Sequence, residues 1–214
     1  PYQTLVDFAP VARVVGYETV VLVHPESRFK TFGDLMAEGR RPGSRINYGA
    51  SPTPSHVATE RIKKAGGFEA TAIPYKGTVP ALNDLMGGQI DFAMGDLGSV
   101  TGLVKGGRLR VIAVNSASRS PELPEVPTLA EFGIKDIVIY AWIGGFYQAK
   151  VDPATVKAMS EAMLEVMKTP EAAEVLRLNG GTYYPAGPEE FRSFLAREIQ
   201  VTKAAADAAN IRVE

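Results

Sequence analysis

Twice within about twenty residues of this chain, a glycine pair stops a helix and leads straight into an apolar run, and no other feature restricts the fold as much. Gly87-Gly88 precedes Ile90 to Met94, and Gly106-Gly107 precedes Leu109 to Asn115. The helices they close are predicted at Val79 to Met86 and Leu97 to Lys105, and Ala70 to Pro74 supplies a strand before the first. Strand, helix, strand, helix, strand in that order needs crossover connections. The sheet is therefore expected to be parallel, with right-handed crossovers.

The same alternation extends to both sides. Thr19 to Val23 reads as a buried strand stopped by Pro25, Thr31 caps a helix from Phe32 to Glu38, and Ile46 to Gly49 is a strand. Ser51-Pro-Thr-Pro-Ser55 leads into a helix from His56 to about Ala65, and Thr78 is expected to cap the helix at Val79. Prolines 121, 124 and 127 make an irregular segment before a short helix, Leu129 to Phe132. Ile137 to Tyr147 is then an apolar strand too long for a small sheet, broken by Gly144-Gly145. Beyond it the chain is mainly helical: Ala154 to Lys168, Pro170 to Leu178 and Glu189 to Ala209, with a strand at Thr182 to Tyr184. The shift near Tyr147 marks a lobe boundary.

Composition excludes several function classes. The 214 residues, 45% hydrophobic and 22% charged, suffice for a sizeable core. With 23 basic and 24 acidic residues in small mixed groups, no basic stripe marks a nucleic-acid footprint. The Arg61, Lys63, Lys64 cluster reads as a solvated helix end, where cations favour the dipole. The absence of cysteine removes disulfides, a thiol nucleophile and cysteine-based metal sites, and the two histidines, His24 and His56, lie far apart. No cofactor is expected. No apolar run approaches the ~20 residues needed to span a bilayer. The chain starts at Pro1 without a signal peptide and is expected to be a processed or trimmed polypeptide.

Ligands of parallel sheets bind outside the carboxyl ends of strands, which singles out three junctions. In the first, Gly49, Ala50, Ser51, Thr53 and Ser55 offer hydroxyls and free helix-start N–H groups to a carboxylate. N-capping by Ser55 on a rigid turn is the plain alternative, and the residues leave both open. In the second, Tyr75, Lys76, Gly77 and Thr78 can meet an anion, although a capping turn with an exposed lysine is the simpler reading. In the third, Asp96 and Ser99 stand between strand and helix, where an N-cap aspartate is again simpler. Catalysis finds little support. Neither G-x-S-x-G nor a phosphate-binding P-loop motif occurs, and His56 is poorly placed to serve Ser55 because adjacent helical positions point apart. Asp84, Asp91, Glu189 and Glu190 read as caps and solvated faces, and Trp142 as core.

These junctions also carry a resemblance. The stretches Asp7 to Ala12, Asn47-Tyr48, Pro74 to Gly77, Pro80 to Asp91, Gly107 to Val114, Arg119 to Thr128 and Ala141-Trp142 together resemble the Bug-type, TctC-like solute-binding proteins of tripartite tricarboxylate transporters, over essentially the whole chain. The resemblance implies an α/β fold of the periplasmic-binding-protein type II kind: two lobes with mostly parallel sheets and crossover strands, closing over a small organic acid. It places residues 1–19 and 140–214 in lobe 1 and 20–139 in lobe 2, with crossovers near 19–23 and 137–147. Family members begin with a further strand–helix stretch, so the first lobe is expected to be incomplete. It further implies a periplasmic, non-enzymatic receptor whose partners are a small organic acid and the membrane permease subunits, with no nucleic acid. A two-lobed sensor without transport, or a hydrolase using Ser55 or Ser99, are the competing readings. Two positions depart from the family pattern: the loop from Ser51 to Ser55 is shorter and richer in proline, and Gly95-Asp96 replaces the common Asp-Asn pair.

Overall fold

The computed structural model describes residues 2–51, 54–135 and 140–208. Along the chain lie α1 (Thr4–Asp7), β1 (Phe8–Val23), α2 (Phe32–Gly39), β2 (Asn47–Ala50), α3 (Pro54–Gly66), β3 (Thr71–Pro74), α4 (Thr78–Met86) and β4 (Phe92–Asp96). They are followed by α5 (Leu97–Lys105), β5 (Arg110–Asn115), a 3-10 turn (Leu129–Phe132) and β6 (Tyr140–Gln148). The chain closes with α6 (Pro153–Val166), α7 (Pro170–Leu178), β7 (Gly181–Ala186) and α8 (Pro188–Ala208). Residues 137–139 of the expected long strand, Pro52, Thr53 and the expected helix end at Ala209 lie outside the described residues.

The chain divides into two compact units, one of Pro1–Tyr17 with Ala141–Ala204, the other of Glu18–Tyr140 with Ala205–Glu214. The boundary falls inside β1, so one strand belongs to both. That strand is 16 residues long, whereas the sequence suggested only Thr19 to Val23. Pro10 sits near the strand start, where a missing N–H is tolerated. Gly16 is required by a close approach: a Cβ there would stand 3.1 Å from Tyr184 Cβ.

In the second unit the strand order is β3-β2-β4-β1-β5. β2 runs parallel to β3 and to β4, and β1 is antiparallel to both its neighbours, pairing Thr19 with Asp96 on one side and Asn115 on the other. The sheet is thus mostly parallel, with β1 as the exception. Each predicted crossover also skips a strand: β2 lies between β3 and β4, and β1 between β4 and β5. Alternation divides the side chains between two cores. One face puts Tyr48, Met94, Val21 and Ala113 against Phe32, Leu35, Ala58, Ile62 and Leu129 of α2, α3 and the 3-10 turn. The other puts Val20, Leu22, Ala93 and Val114 against Leu82, Leu85, Leu97 and Val100 of α4 and α5.

In the first unit β1 pairs antiparallel with β7 from Arg13↔Ala186 to Tyr17↔Gly181, and β6 also pairs with β1. Val11, Val14 and Val15 pack with Val156 of α6 and Leu176 of α7. Ala186, Phe191 and Leu195 form a second cluster with Trp142, Phe146 and Phe194. Trp142 meets Phe191 edge-on at 5.3 Å and Phe194 at 5.8 Å, as the core reading expects. Asp152 and Thr169 accept the backbone N–H of Thr155 and Ala172, capping α6 and α7 ahead of a first-turn proline in each.

Candidate functional site

Because β3, β2 and β4 are parallel and adjacent, their carboxyl ends reach one edge of the second unit. Ala50-Ser51, Pro74-Tyr75 and Asp96 are therefore brought together by topology, although they are well separated in the chain. The reversed β1 starts its paired stretch at that same edge with Thr19, and β5 ends there with Asn115. Side chains directly opposite in an antiparallel pair share a face, so Asp96, Thr19 and Asn115 form one row across three strands. They lie on the face that carries Val21, Met94 and Ala113, the face against which α3 packs.

The three junctions fare differently. At the first, Ser51 is buried and its Oγ lies 3.0 Å from Ser55 Oγ. Ala50 is buried as well, and Thr53 lies outside the described residues. Gly49 serves packing: a Cβ would meet Ala81 Cβ and Ile90 Cδ1 at 2.9 Å. The helix begins at Pro54, so Ser55 lies inside it and is not its N-cap; its carbonyl accepts Thr59 Oγ1 at 2.8 Å. The tie between Ser51 and Ser55 holds two hydroxyls at the start of a 13-residue helix, where a carboxylate is favoured by the local partial charge.

At the second junction the Tyr75 hydroxyl is already committed, donating to Asp84 Oδ2 at 2.7 Å. Burial, reinforced by that hydrogen bond, pushes the Tyr75 phenol up to about 12. Lys76 is exposed and has no ion-pair partner among the described residues. Thr78 is the first residue of α4, and the N-cap is Gly77, which offers no side-chain cap. The expected Thr78 cap is therefore corrected by one position. Gly77 has extended backbone at φ 174, leaving the amide groups at the start of α4 without a capping side chain.

At the third junction Asp96 does occupy the N-cap position of α5, but its side chain makes no cap hydrogen bond. It accepts instead from the hydroxyl of exposed Ser99 at 2.9 Å. The capping account of Asp96 therefore fails, and its carboxylate remains available at the strand end.

Other assignments change too. Lys63 is not a solvated helix end: it is 9% exposed, its Nζ 2.7 Å from Glu60 Oε1 and over the Tyr48 ring. Asp91 is neither a cap nor a solvated face. It accepts the Asn47 N–H at 2.9 Å while Asn47 Oδ1 accepts its own N–H at 2.9 Å, tying the starts of β2 and β4. Asp84 holds Tyr75. Reading the loops alone missed Asn115, although the rule that selected them, a polar residue closing a buried strand, applies to it equally. Asn115 is 1% exposed, and its Nδ2 is buried without a hydrogen-bond partner among the described residues; Glu18 Oε2 is in the same condition.

Among the described residues no catalytic constellation accompanies these groups. The His56 ring packs against Tyr48 and burial lowers its pKa, while Ser99 turns to Asp96. Among the described residues no cluster of three His, Cys, Asp or Glu is arranged to hold a metal ion, and no helix is long and apolar enough to cross a membrane. The first unit carries a cavity of about 610 Å³, lined by Ala9, Pro10, Val156, Leu164 and Pro188 with Lys157, Glu161 and Arg192 at its polar positions. None of the strand-end residues lines it.

Residues 1–211 match the family model described as "Tripartite tricarboxylate transporter family receptor". Protein BugT of Bordetella pertussis is 30% identical over 202 residues, which is 94% of this chain and 62% of that relative. A UPF0065 protein from the tcbD-tcbE intergenic region of Pseudomonas sp. strain P51 is 27% identical over 94% of this chain and 60% of its own length. The chain thus spans about three-fifths of these relatives. Among solved structures, "R. palustris Rpa4515 with adipate" superposes with a TM-score of 0.86 at 27% identity, over 98% of this chain and 71% of that one. The periplasmic binding protein BugD, 23% identical with a TM-score of 0.80 over 96% of this chain and 70% of its own, agrees in fold.

Proposed function

We propose a function from one premise: this chain belongs to the tripartite tricarboxylate transporter receptor family. That family is one of receptors, not of enzymes. The chain is part of an extracytoplasmic, periplasmic solute-binding receptor that captures a small organic carboxylate and passes it to the membrane permease subunits of its transporter. The strand ends of the second unit take the acid. Their chemistry suits an anion: paired hydroxyls of Ser51 and Ser55 at a helix start, uncapped amides at the start of α4, and the exposed ammonium of Lys76. The observation that carries the reading is the near-complete superposition on a relative solved with adipate, with these strand ends gathered on one edge.

Isothermal titration calorimetry of the protein against adipate, succinate, malate, citrate, benzoate and glutamate tests it. Saturable binding of at least one acid, weakened by Ser51→Ala and by Lys76→Ala, is the expected result. Heats indistinguishable from dilution for every acid would overturn the reading.

A further inference from the structure

We infer that Asn115 contacts the solute, donating a hydrogen bond from Nδ2 to a solute oxygen, and that Asp96 in the same row accepts one from a hydroxyl or amino substituent. This rests on the strand-end reading and deepens it. It narrows the solute from any small carboxylate to a hydroxy- or amino-substituted acid.

Asn115 carries the case. A buried amide N–H with no partner is rare in folded proteins and costs stability, because it has left water and gained nothing in return. Asn115 closes β5 at the edge where β2, β3 and β4 also end, so that N–H belongs to the same edge as a solute seated on those strand ends. The polar neighbours in its row do not satisfy it. Its register partner Thr19 stands between it and Asp96, and Asp96 turns one oxygen to Ser99. Strands spaced ~4.8 Å apart put the backbones of Asn115 and Asp96 ~10 Å apart. Thr19 fills the middle of that interval, so a few-carbon acid that joins the two ends would have to pass over the Thr19 side chain. The row then offers a donor at one end and an acceptor at the other. An unsubstituted dicarboxylate satisfies the donor and leaves a carboxylate facing Asp96, which repels it, whereas a hydroxyl or ammonium there donates to Asp96.

Titration calorimetry with malate and succinate, which differ by a single hydroxyl, tests the pair, alongside thermal unfolding of the near-isosteric Asn115→Leu variant. The expected results are malate bound more tightly than succinate, Asn115→Leu weakening malate by roughly ten- to hundredfold, and a melting temperature for Asn115→Leu equal to or above the parent's. Asp96→Asn is expected to narrow the malate preference. If Asn115→Leu lowers the melting temperature by several degrees and leaves malate affinity intact, Asn115 is a structural residue and the inference falls. Succinate bound as tightly as malate overturns the substituent requirement alone. A protein that binds no acid of the wider panel overturns the proposed function with it, and the melting comparison still decides whether the Asn115 amide is structural.

Discussion

Tyr48 and Glu60 are joined beneath the first strand-end loop: the wholly buried Tyr48 hydroxyl donates to Glu60 Oε1, and Lys63 Nζ reaches that same oxygen at 2.7 Å. The bond fastens α3 to β2, and with them the segment that sets Ser51 beside Ser55. Burial first, then the hydrogen bond to Glu60, raises the Tyr48 pKa well above its ordinary 10. Folding therefore favours the protonated phenol. This contribution is complete below pH about 10 and is lost as pH rises further. Tyr48→Phe is expected to cost about 1–2 kcal/mol at neutral pH, from an acceptor left without its donor. The variant is also expected to flatten the fall in stability above pH 10. Urea denaturation at pH 7.5 and pH 10.5 measures both.

His56 works at the opposite end of the scale. Burial against Tyr48 lowers its pKa below 6.5, only partly opposed by the Glu60 charge. The unfolded chain then binds the proton more readily than the folded one. Stability is full above pH about 6.5 and declines as pH falls below it. His56→Gln is expected to remove part of the slope between pH 7 and pH 5, read from melting temperatures across that interval.

Arg119 clamps Glu131 with two hydrogen bonds, Nε to Oε1 at 2.9 Å and Nη2 to Oε2 at 2.6 Å, while the Thr128 N–H adds a third at 3.0 Å. The guanidinium contact, the largest influence, and the Thr128 N–H hold the Glu131 carboxyl down to about 2 against an ordinary 4.5. The stabilisation is present above pH about 4.5 and lost as pH falls toward 2. Carbon-13 NMR titration should show Glu131 as a late-titrating glutamate. Arg119→Ala should return its midpoint toward the ordinary value, and high salt should narrow the difference.

Gly144 in β6 has no space for a side chain. A Cβ would meet Phe191 Cζ at 2.5 Å and the Ala12 carbonyl oxygen at 2.8 Å, one in a fully buried ring and the other in backbone. Gly144→Ala is expected to destabilise by at least about 1–3 kcal/mol, the range for overpacking a tight core. Gly102→Ala, whose Cβ would enter open space in α5, is expected to be neutral or stabilising by up to about 1 kcal/mol. Parallel thermal melts distinguish them.

Asp96 separates capping from binding. Its carboxylate takes no helix N–H, so Asp96→Ala should leave the melting temperature within a degree or two of the parent. Loss of a true aspartate cap would cost about 1 kcal/mol and move the midpoint further. Calorimetry on the same sample should show an altered solute affinity.

Much of the framework was legible locally. The glycine pairs, Thr31 and Pro170 mark helix limits by backbone chemistry alone, and α5 and α7 fall where the residues place them. The candidate loops followed from one rule, that parallel strands end in ligand-facing turns. The long β1 was not legible, because its first half is held by pairing with β7, which is remote in the sequence, and by Tyr184 crowding Gly16.

What the sequence determined by itself is the alternation, the helix ends and the three strand-to-helix turns, all set by interactions within a few residues. Only the tertiary structure decided which side chains those turns have to spare. Tyr75 was claimed by Asp84, Lys63 by Glu60, and Asp91 by Asn47, while Asp96 was released from its helix. It also placed Asn115 in the row with Asp96, through a reversed β1 that pairs with both. Such partnerships depend on strand order and register, which are fixed by burying two faces of one sheet at once, and no local window of residues contains that information.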